Sequence, residues 1–128
     1  MQSNTKDYDE LTGRVIGCAI EVHRGLGPGL LEFAYEKCLS FELSANNIDH
    51  TIQKELPVKY KGINLDCSYR IDLLVENKLI VELKSVDAIL PIHEAQLLTY
   101  MRLAGVHTGL LINFNVRLLT DGIKRFVL

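Results

Sequence analysis

A chain of 128 residues with 48% hydrophobic and 23% charged residues has the make-up of one ordinary globular domain. Its formal net charge of −2 excludes a strongly basic field over the whole molecule, so any nucleic-acid contact must come from a local patch. The cysteines, Cys18, Cys38 and Cys67, are odd in number, far apart and free of zinc-type spacing, so they read as small core residues in a reducing compartment.

The segment from Met1 to Asp7 is polar and lacks the apolar core of a signal peptide. No apolar run approaches the ~18 residues of a membrane span, so a cytoplasmic protein without membrane contact is expected. From Asp9 to Arg24 the residues Leu11, Val15, Cys18, Ala19 and Val22 recur at three- and four-residue steps and predict a first helix. Gly25-Leu26-Gly27-Pro28-Gly29 is expected to stop it. This loop lacks the Lys-Ser/Thr of a phosphate cradle and follows no strand, so it does not read as a nucleotide site. His23 and Arg24 read equally as partners of the helix dipole or as active-site cations. A second helix is predicted from about Leu30 to Ala45, with Leu31, Ala34, Tyr35, Cys38 and Leu39 as its buried side. Glu32 lies near its N-terminus, where a carboxylate gains about 0.3–1 kcal/mol from the dipole.

From Thr51 to Tyr60 the period changes to two, with Ile52, Leu56, Val58 and Tyr60 on one side. Pro57 marks this strand as an edge or as irregular. Lys61-Gly62 predicts a tight turn into a second strand from about Asn64 to Val75. Glu76-Asn77-Lys78 then turns the chain into a third strand from Leu79 to Ser85. Strand side chains alternate in face, so Asp72, Glu82 and Lys84, all even-numbered, are expected to share one. A turn centred on Asn77 sets Asp72 opposite Glu82, with Cβ atoms about 4.5–5.5 Å apart. Two carboxylates that close repel, and an oxygen-bound divalent cation between them would relieve the repulsion. A solvated sheet face with a cross-strand Lys–Glu pair is the competing reading. Lys54, Lys59 and Lys61 form the chain's modest basic cluster.

Pro91 to Ala104, ended by Gly105, predicts a third helix, with Leu97, Leu98, Met101 and Leu103 supplying apolar surface. Gln96 and Tyr100 stand one turn apart on one face, and His93 extends that polar stripe. Thr108 to Asn113 predicts a strand buried on both faces. Asn115 to Leu128 reads as one more edge strand or a docked tail, through Ile123, Phe126 and Val127. The order is α-α-β-β-β-α-β, a mixed sheet with helices on its faces.

Asp72 followed by Glu82-Leu83-Lys84 resembles the D…ExK signature of the PD-(D/E)XK nuclease superfamily. Gln96-Leu97-Leu98-Thr99-Tyr100 is similar to the QxxxY helix motif of its RecB-like branch. Gly29-Leu30-Leu31-Glu32-Phe33-Ala34-Tyr35 resembles the motif of the small GxxExxY protein family, as do the flanking His23 to Gly29 and the tail Leu111-Ile112-Asn113-Phe114-Asn115. The resemblance spans about Leu11 to Val127. It implies an α/β, restriction-endonuclease-like α-β-β-β-α-β core and a Mg²⁺ or Mn²⁺ site for phosphodiester cleavage, with nucleic acid, DNA first, as partner. It further implies that Asp72, Glu82, Glu32 and the Leu83 carbonyl serve the metal. Lys84 would orient or deprotonate the attacking water, while Gln96 and Tyr100 brace the site or touch substrate. Ile71 stands where the superfamily carries proline.

Three functions compete on this sequence. One is a metal-dependent nuclease, and another is a non-catalytic member of the fold that binds nucleic acid or a protein. The last is a dimeric scaffold using the polar hairpin face. A homodimer is compatible with each of them.

Overall fold

The structure, a computed structural model, describes residues 9–128, without the side chains of residues 66–68. The polar N-terminal stretch and the burial of Cys67 thus lie outside the described residues. Asp9 caps the first helix, α1 (Glu10–Leu26), by accepting a hydrogen bond from the Thr12 N–H at 2.8 Å. The helix runs two residues past the expected end at Arg24. Gly25 and Leu26 stay helical, and the stop falls at Gly27 (φ 68°), whose N–H bonds the His23 carbonyl. Helix α2 (Glu32–Ala45) starts two residues later than expected. Leu31 is therefore the residue before the helix and is 67% exposed, not buried; Tyr35, Leu39 and Leu43 form the inner face.

Among the described residues, β1 (His50–Tyr60), β2 (Ile63–Val75), β3 (Leu79–Lys84), β4 (Thr108–Asn113) and β5 (Ile123–Val127) form one sheet in that spatial order. Strands β1 to β3 make the expected antiparallel meander, β4 runs parallel to β3, and β5 runs antiparallel to β4. A parallel neighbour requires a crossover, and α3 (Pro91–Ala104) supplies it with the predicted limits. Alternation along β3 and β4 then sorts the core into two layers. Val81, Leu83, Leu110 and Ile112 pack with α1 and α2, while Ile80 and Leu111 pack with Leu97, Tyr100 and Met101 of α3. The α-β-β-β-α-β core is thus present, extended by a 3₁₀ turn (Leu119–Gly122) and β5, with Phe126 docked and buried.

Strand β1 is an edge strand, and its register to β2 shifts between Pro57 and Lys59, so both readings of Pro57 hold. The β1–β2 ribbon is longer than its neighbours, which leaves its far end beyond helix cover. Of the apolar set expected there, Leu56 is buried, whereas Ile52 and Tyr60 are exposed. Lys54, Lys59 and Lys61 are exposed along this ribbon. No helix among the described residues is long and apolar enough to cross a membrane.

Gly122 illustrates how tightly the chain's end is seated. A Cβ there would lie 2.2 Å from the backbone carbonyl oxygen of Asn113, an atom that cannot move without disturbing β4. At Gly109 the obstacle is instead the flexible end of Met101. Gly122→Ala is expected to cost about 1–3 kcal/mol, the scale of core overpacking, and to lower the melting temperature by several degrees. Gly109→Ala should cost less, and equal melting shifts would contradict this assignment.

Candidate active site

The turn between β2 and β3 sets the register on which the site depends. Glu76 (φ 50°) and Asn77 (φ 55°) take left-handed backbone, and the Lys78 N–H closes the turn on the Val75 carbonyl at 3.0 Å. The ladder runs from Val75↔Leu79 to Leu73↔Val81, so the next step out sets Asp72 against Glu82, as the sequence predicted. There the ladder ends in side chains. Asp72 Oδ2 accepts from the Leu83 N–H and Glu82 Oε2 accepts from the Asp72 N–H, each at 2.8 Å. Each carboxylate satisfies an amide of the fork it stands in.

The shared face predicted from even numbering fails at Asp72. Leu73 packs with α1 and α2 while Ile71 packs with α3, so the alternation of β2 breaks between them. Across the strand pair the register is unbroken from Ile52↔Leu73 to Lys54↔Ile71, and Gln53, the residue opposite Asp72, takes left-handed backbone (φ 51°). A non-glycine residue in this region inside a strand costs of order 1–3 kcal/mol and persists only when its surroundings fix it. Gln53 is fixed by its amide, which donates to Glu36 and, at 3.3 Å, to Asp72 Oδ1. Asp72 consequently lines a cavity of about 350 Å³ with Glu32, Phe33, Glu36, Gln53 and Leu83. Glu82 keeps the strand's ordinary alternation, and Lys84 lies two residues on at the end of β3, half-buried.

This fork is short of positive charge. Burial pushes the Glu82 carboxyl up to about 8, helped by the Asp72 charge and offset in part by the Asp72 N–H and Lys84. Burial likewise raises Asp72 above the usual carboxylate range, and Glu36 adds to the effect against the Leu83 N–H, Gln53 and Lys84. Among the described residues, no lysine or arginine stands within salt-bridge distance of either carboxylate. Glu82 is only 4% exposed, so solvent does little to compensate its charge, and Lys84 offsets it only in part.

Helix α3 brings part of its polar stripe here. Gln96 Nε2 donates to the Tyr100 hydroxyl at 3.0 Å. Burial and then the Glu82 charge raise the Tyr100 phenol, which registers its nearness to the fork. His93 does not extend the stripe as expected, because its Nδ1 accepts from the Leu90 N–H and caps the helix. His23 is buried against Phe114 with Nε2 on the Val116 carbonyl, and Arg24 pairs with Glu21 at the surface. Neither belongs to the fork. Glu36 and Gln53 join the site without a motif to announce them. Glu36 follows Glu32 by one helical turn, which could have marked it; nothing local marked the backbone of Gln53.

The glycine loop and the tail prove to be supports. Tyr35 is fully buried, and its hydroxyl donates to the Gly27 carbonyl at 2.6 Å and accepts from the Leu30 N–H at 3.1 Å. Its ring stacks on Phe114 with centroids 4.4 Å apart. Together these contacts hold the loop that leads into Glu32. Asn113, 3% exposed, bonds both backbone groups of Val86, and the Phe114 N–H bonds the Lys84 carbonyl at 2.9 Å. The end of β3, where Lys84 stands, is tied down from both sides.

As they stand, no three His, Cys, Asp or Glu side chains among the described residues form a group that could hold a metal. The donor set nevertheless fits a hard divalent cation. Asp72 and Glu82 supply oxygens with raised proton affinity, Glu32 and Glu36 share the cavity wall, and Leu83 lines it with its backbone within the fork. The family model of the PD-(D/E)XK nuclease superfamily matches residues 9–126. No curated protein and no solved structure matches the chain.

Proposed function

We propose that this chain, which belongs to the PD-(D/E)XK nuclease superfamily, is a single-domain nuclease that hydrolyses phosphodiester bonds in DNA with Mg²⁺ or Mn²⁺. Within the superfamily we assign it to the GxxExxY family on Gly29, Glu32 and Tyr35, and to the RecB-like branch on Gln96 and Tyr100. The observation that supports the reading is the fork of β2 and β3, where buried Glu82 and half-buried Asp72 stand side by side with raised proton affinity and, among the described residues, no lysine or arginine within salt-bridge distance.

In this reading Asp72 and Glu82 hold the cation, with the Leu83 carbonyl and Glu32 as further oxygen donors. When bound, the cation supplies Lewis acidity at the scissile phosphate and lowers the pKa of water. The rest falls to the chain's own residues. Gln53, bridging Glu36 and Asp72, keeps the Asp72 carboxylate in one orientation. The Lys84 ammonium is a compact, mobile charge that would orient the attacking water by donating to its oxygen, ease loss of that water's proton to solvent, and offset charge developing on the phosphate. Gln96 fixes the Tyr100 hydroxyl beside Glu82.

Calorimetric titration with Mg²⁺ and with Mn²⁺ tests the cation site apart from turnover. Wild-type protein is expected to bind either ion, with affinity rising from pH 6 to 8 as protons leave the carboxylates. Asp72→Asn should abolish the binding. Wild-type protein that takes up neither ion at pH 8 would sink the metal assignment.

A further inference from the structure

Beside the fork, on the α3 side of the sheet, lies a second cavity of about 300 Å³ whose walls include Tyr69, Val58, Ile92, Gln96, Thr99 and Tyr100. That volume is at the small end of ligand pockets, which run roughly 300–1,000 Å³, and it suits one flat ring system better than a larger molecule. Tyr69 is 51% exposed, and its ring centroid stands 6.0 Å from that of Tyr100 at an angle of 47°. A half-exposed aromatic side chain thus stands at the surface of an apolar pocket. The polar groups at the walls are amide and hydroxyl. Gln96 spends only its N–H on Tyr100, and Thr99 Oγ1 holds the exposed Arg102 guanidinium at 3.1 Å. A cation is thereby tethered to a residue of the wall.

Tyr100, which lines the cavity with its hydrogen-bond partner Gln96, also lies within electrostatic reach of Glu82 and Asp72 in the fork. Tyr69 also precedes Asp72 by three residues on β2, about 10 Å of strand. Resting on the nuclease reading above, we infer that this cavity is a nucleobase pocket: an unpaired base stacks on Tyr69 while its strand passes Asp72 and Glu82. The substrate class is then nucleic acid with an unpaired nucleotide beside the cut, such as a single strand, flap or gap, and not a continuous duplex. A base has an aromatic face for Tyr69 and edge groups for the Gln96 amide, and its flanking phosphate would meet Arg102. A base held in its own stack presents no free face to the pocket.

The test uses a short single-stranded DNA carrying 2-aminopurine, with Ca²⁺ in place of Mg²⁺. Binding is expected to quench the probe by stacking. Tyr69→Ala should weaken that binding roughly 5- to 150-fold, the scale of one stacked base. Tyr69→Phe keeps the ring and should bind like wild type, which separates loss of stacking from loss of fold. A blunt duplex of equal length should show no quenching and no response to Tyr69→Ala. Single-strand affinity unchanged in Tyr69→Ala overturns the pocket, and that is also the outcome if an apolar protein segment is its true occupant. The two readings fail separately. Tyr69-dependent quenching without cleavage in Mg²⁺ or Mn²⁺ removes the nuclease reading and leaves the base pocket. Cleavage indifferent to Tyr69 removes only the pocket.

Discussion

Glu82→Gln is expected to abolish metal-dependent cleavage and, in the same protein, to raise the stability of the metal-free fold above neutral pH. The two effects share one cause. Glu82 is buried beside Asp72, and its carboxyl is raised from 4.5 to about 8. Glutamine keeps the side chain's shape and an oxygen for the Asp72 N–H, but it carries no charge to bind a cation or to repel Asp72. The loss in turnover should be at least about 10²-fold, the scale of removing one fixed electrostatic group from an active site.

The sign of the pH dependence follows from which state holds the proton. Below 4.5 Glu82 is protonated in both folded and unfolded chains, and its favourable contribution is fully present. Between 4.5 and about 8 the folded chain keeps a proton that the unfolded chain has released, so stability falls as pH rises. Above about 8 the contribution is gone. Asp72 is raised as well and acts in the same direction. Denaturant melts of metal-free wild-type protein should therefore lose on the order of a few kcal/mol between pH 5 and 9. Glu82→Gln should flatten that loss. Asp9 works in the opposite sense, because the Thr12 backbone N–H lowers its carboxyl and its contribution fades only in acid. A wild-type curve flat from pH 5 to 9, or a Glu82→Gln protein less stable than wild type at pH 9, would refute this account of the fork.

Tyr35→Ala is expected to cost about 3–5 kcal/mol, the range for truncating a buried aromatic residue. The ring is fully buried against Phe114, and its hydroxyl ties together the two ends of the Gly27–Leu30 loop. Tyr35→Phe separates these roles. It keeps the stacking but leaves the Gly27 carbonyl and the Leu30 N–H without that partner, at about 1–3 kcal/mol. Because the loop leads into Glu32, Tyr35→Phe should also weaken metal-dependent activity more than its stability loss explains. Chemical denaturation measures the first effect, and cleavage rates at a temperature where both proteins are folded measure the second. A Tyr35→Phe protein as stable as wild type would show the two hydrogen bonds to be worthless.

The elements most legible in the sequence were those fixed by periodicity and local turn chemistry. Lys61-Gly62 and Glu76-Asn77 turn the meander where expected, and Pro91 and Gly105 bound α3 as read. The pairing of Asp72 with Glu82 was legible because the second of these turns sets a register that nothing up to Leu73↔Val81 disturbs. What stayed hidden depends on contacts between distant segments. The break of alternation at Asp72 lies opposite the left-handed backbone of Gln53 on another strand, whose side chain bonds both Asp72 and Glu36 on a helix. The pattern of apolar residues around Gln53 carries no trace of it. Leu31 and Leu103 look like core residues by type, yet both are exposed, since the helix register and the sheet's edge decide burial. His93 shows the same limit on a smaller scale: its position fits an active-site stripe, but the nearest unsatisfied N–H claimed it.

If the fork of β2 and β3 is a nuclease site, it cuts phosphodiester bonds in the presence of a divalent metal. The most direct measurement incubates purified protein with labelled single-stranded, flapped and fully paired DNA and with RNA, in Mg²⁺, in Mn²⁺ and in EDTA. Lys84→Ala, at the half-buried end of β3, serves as the matched control. Wild-type protein is expected to cleave DNA in at least one of the two metals and not in EDTA, with a loss of at least about 10²-fold in Lys84→Ala. Folded wild-type protein that cuts none of these substrates in either metal, or that cuts them as fast with alanine at position 84, would contradict the nuclease reading.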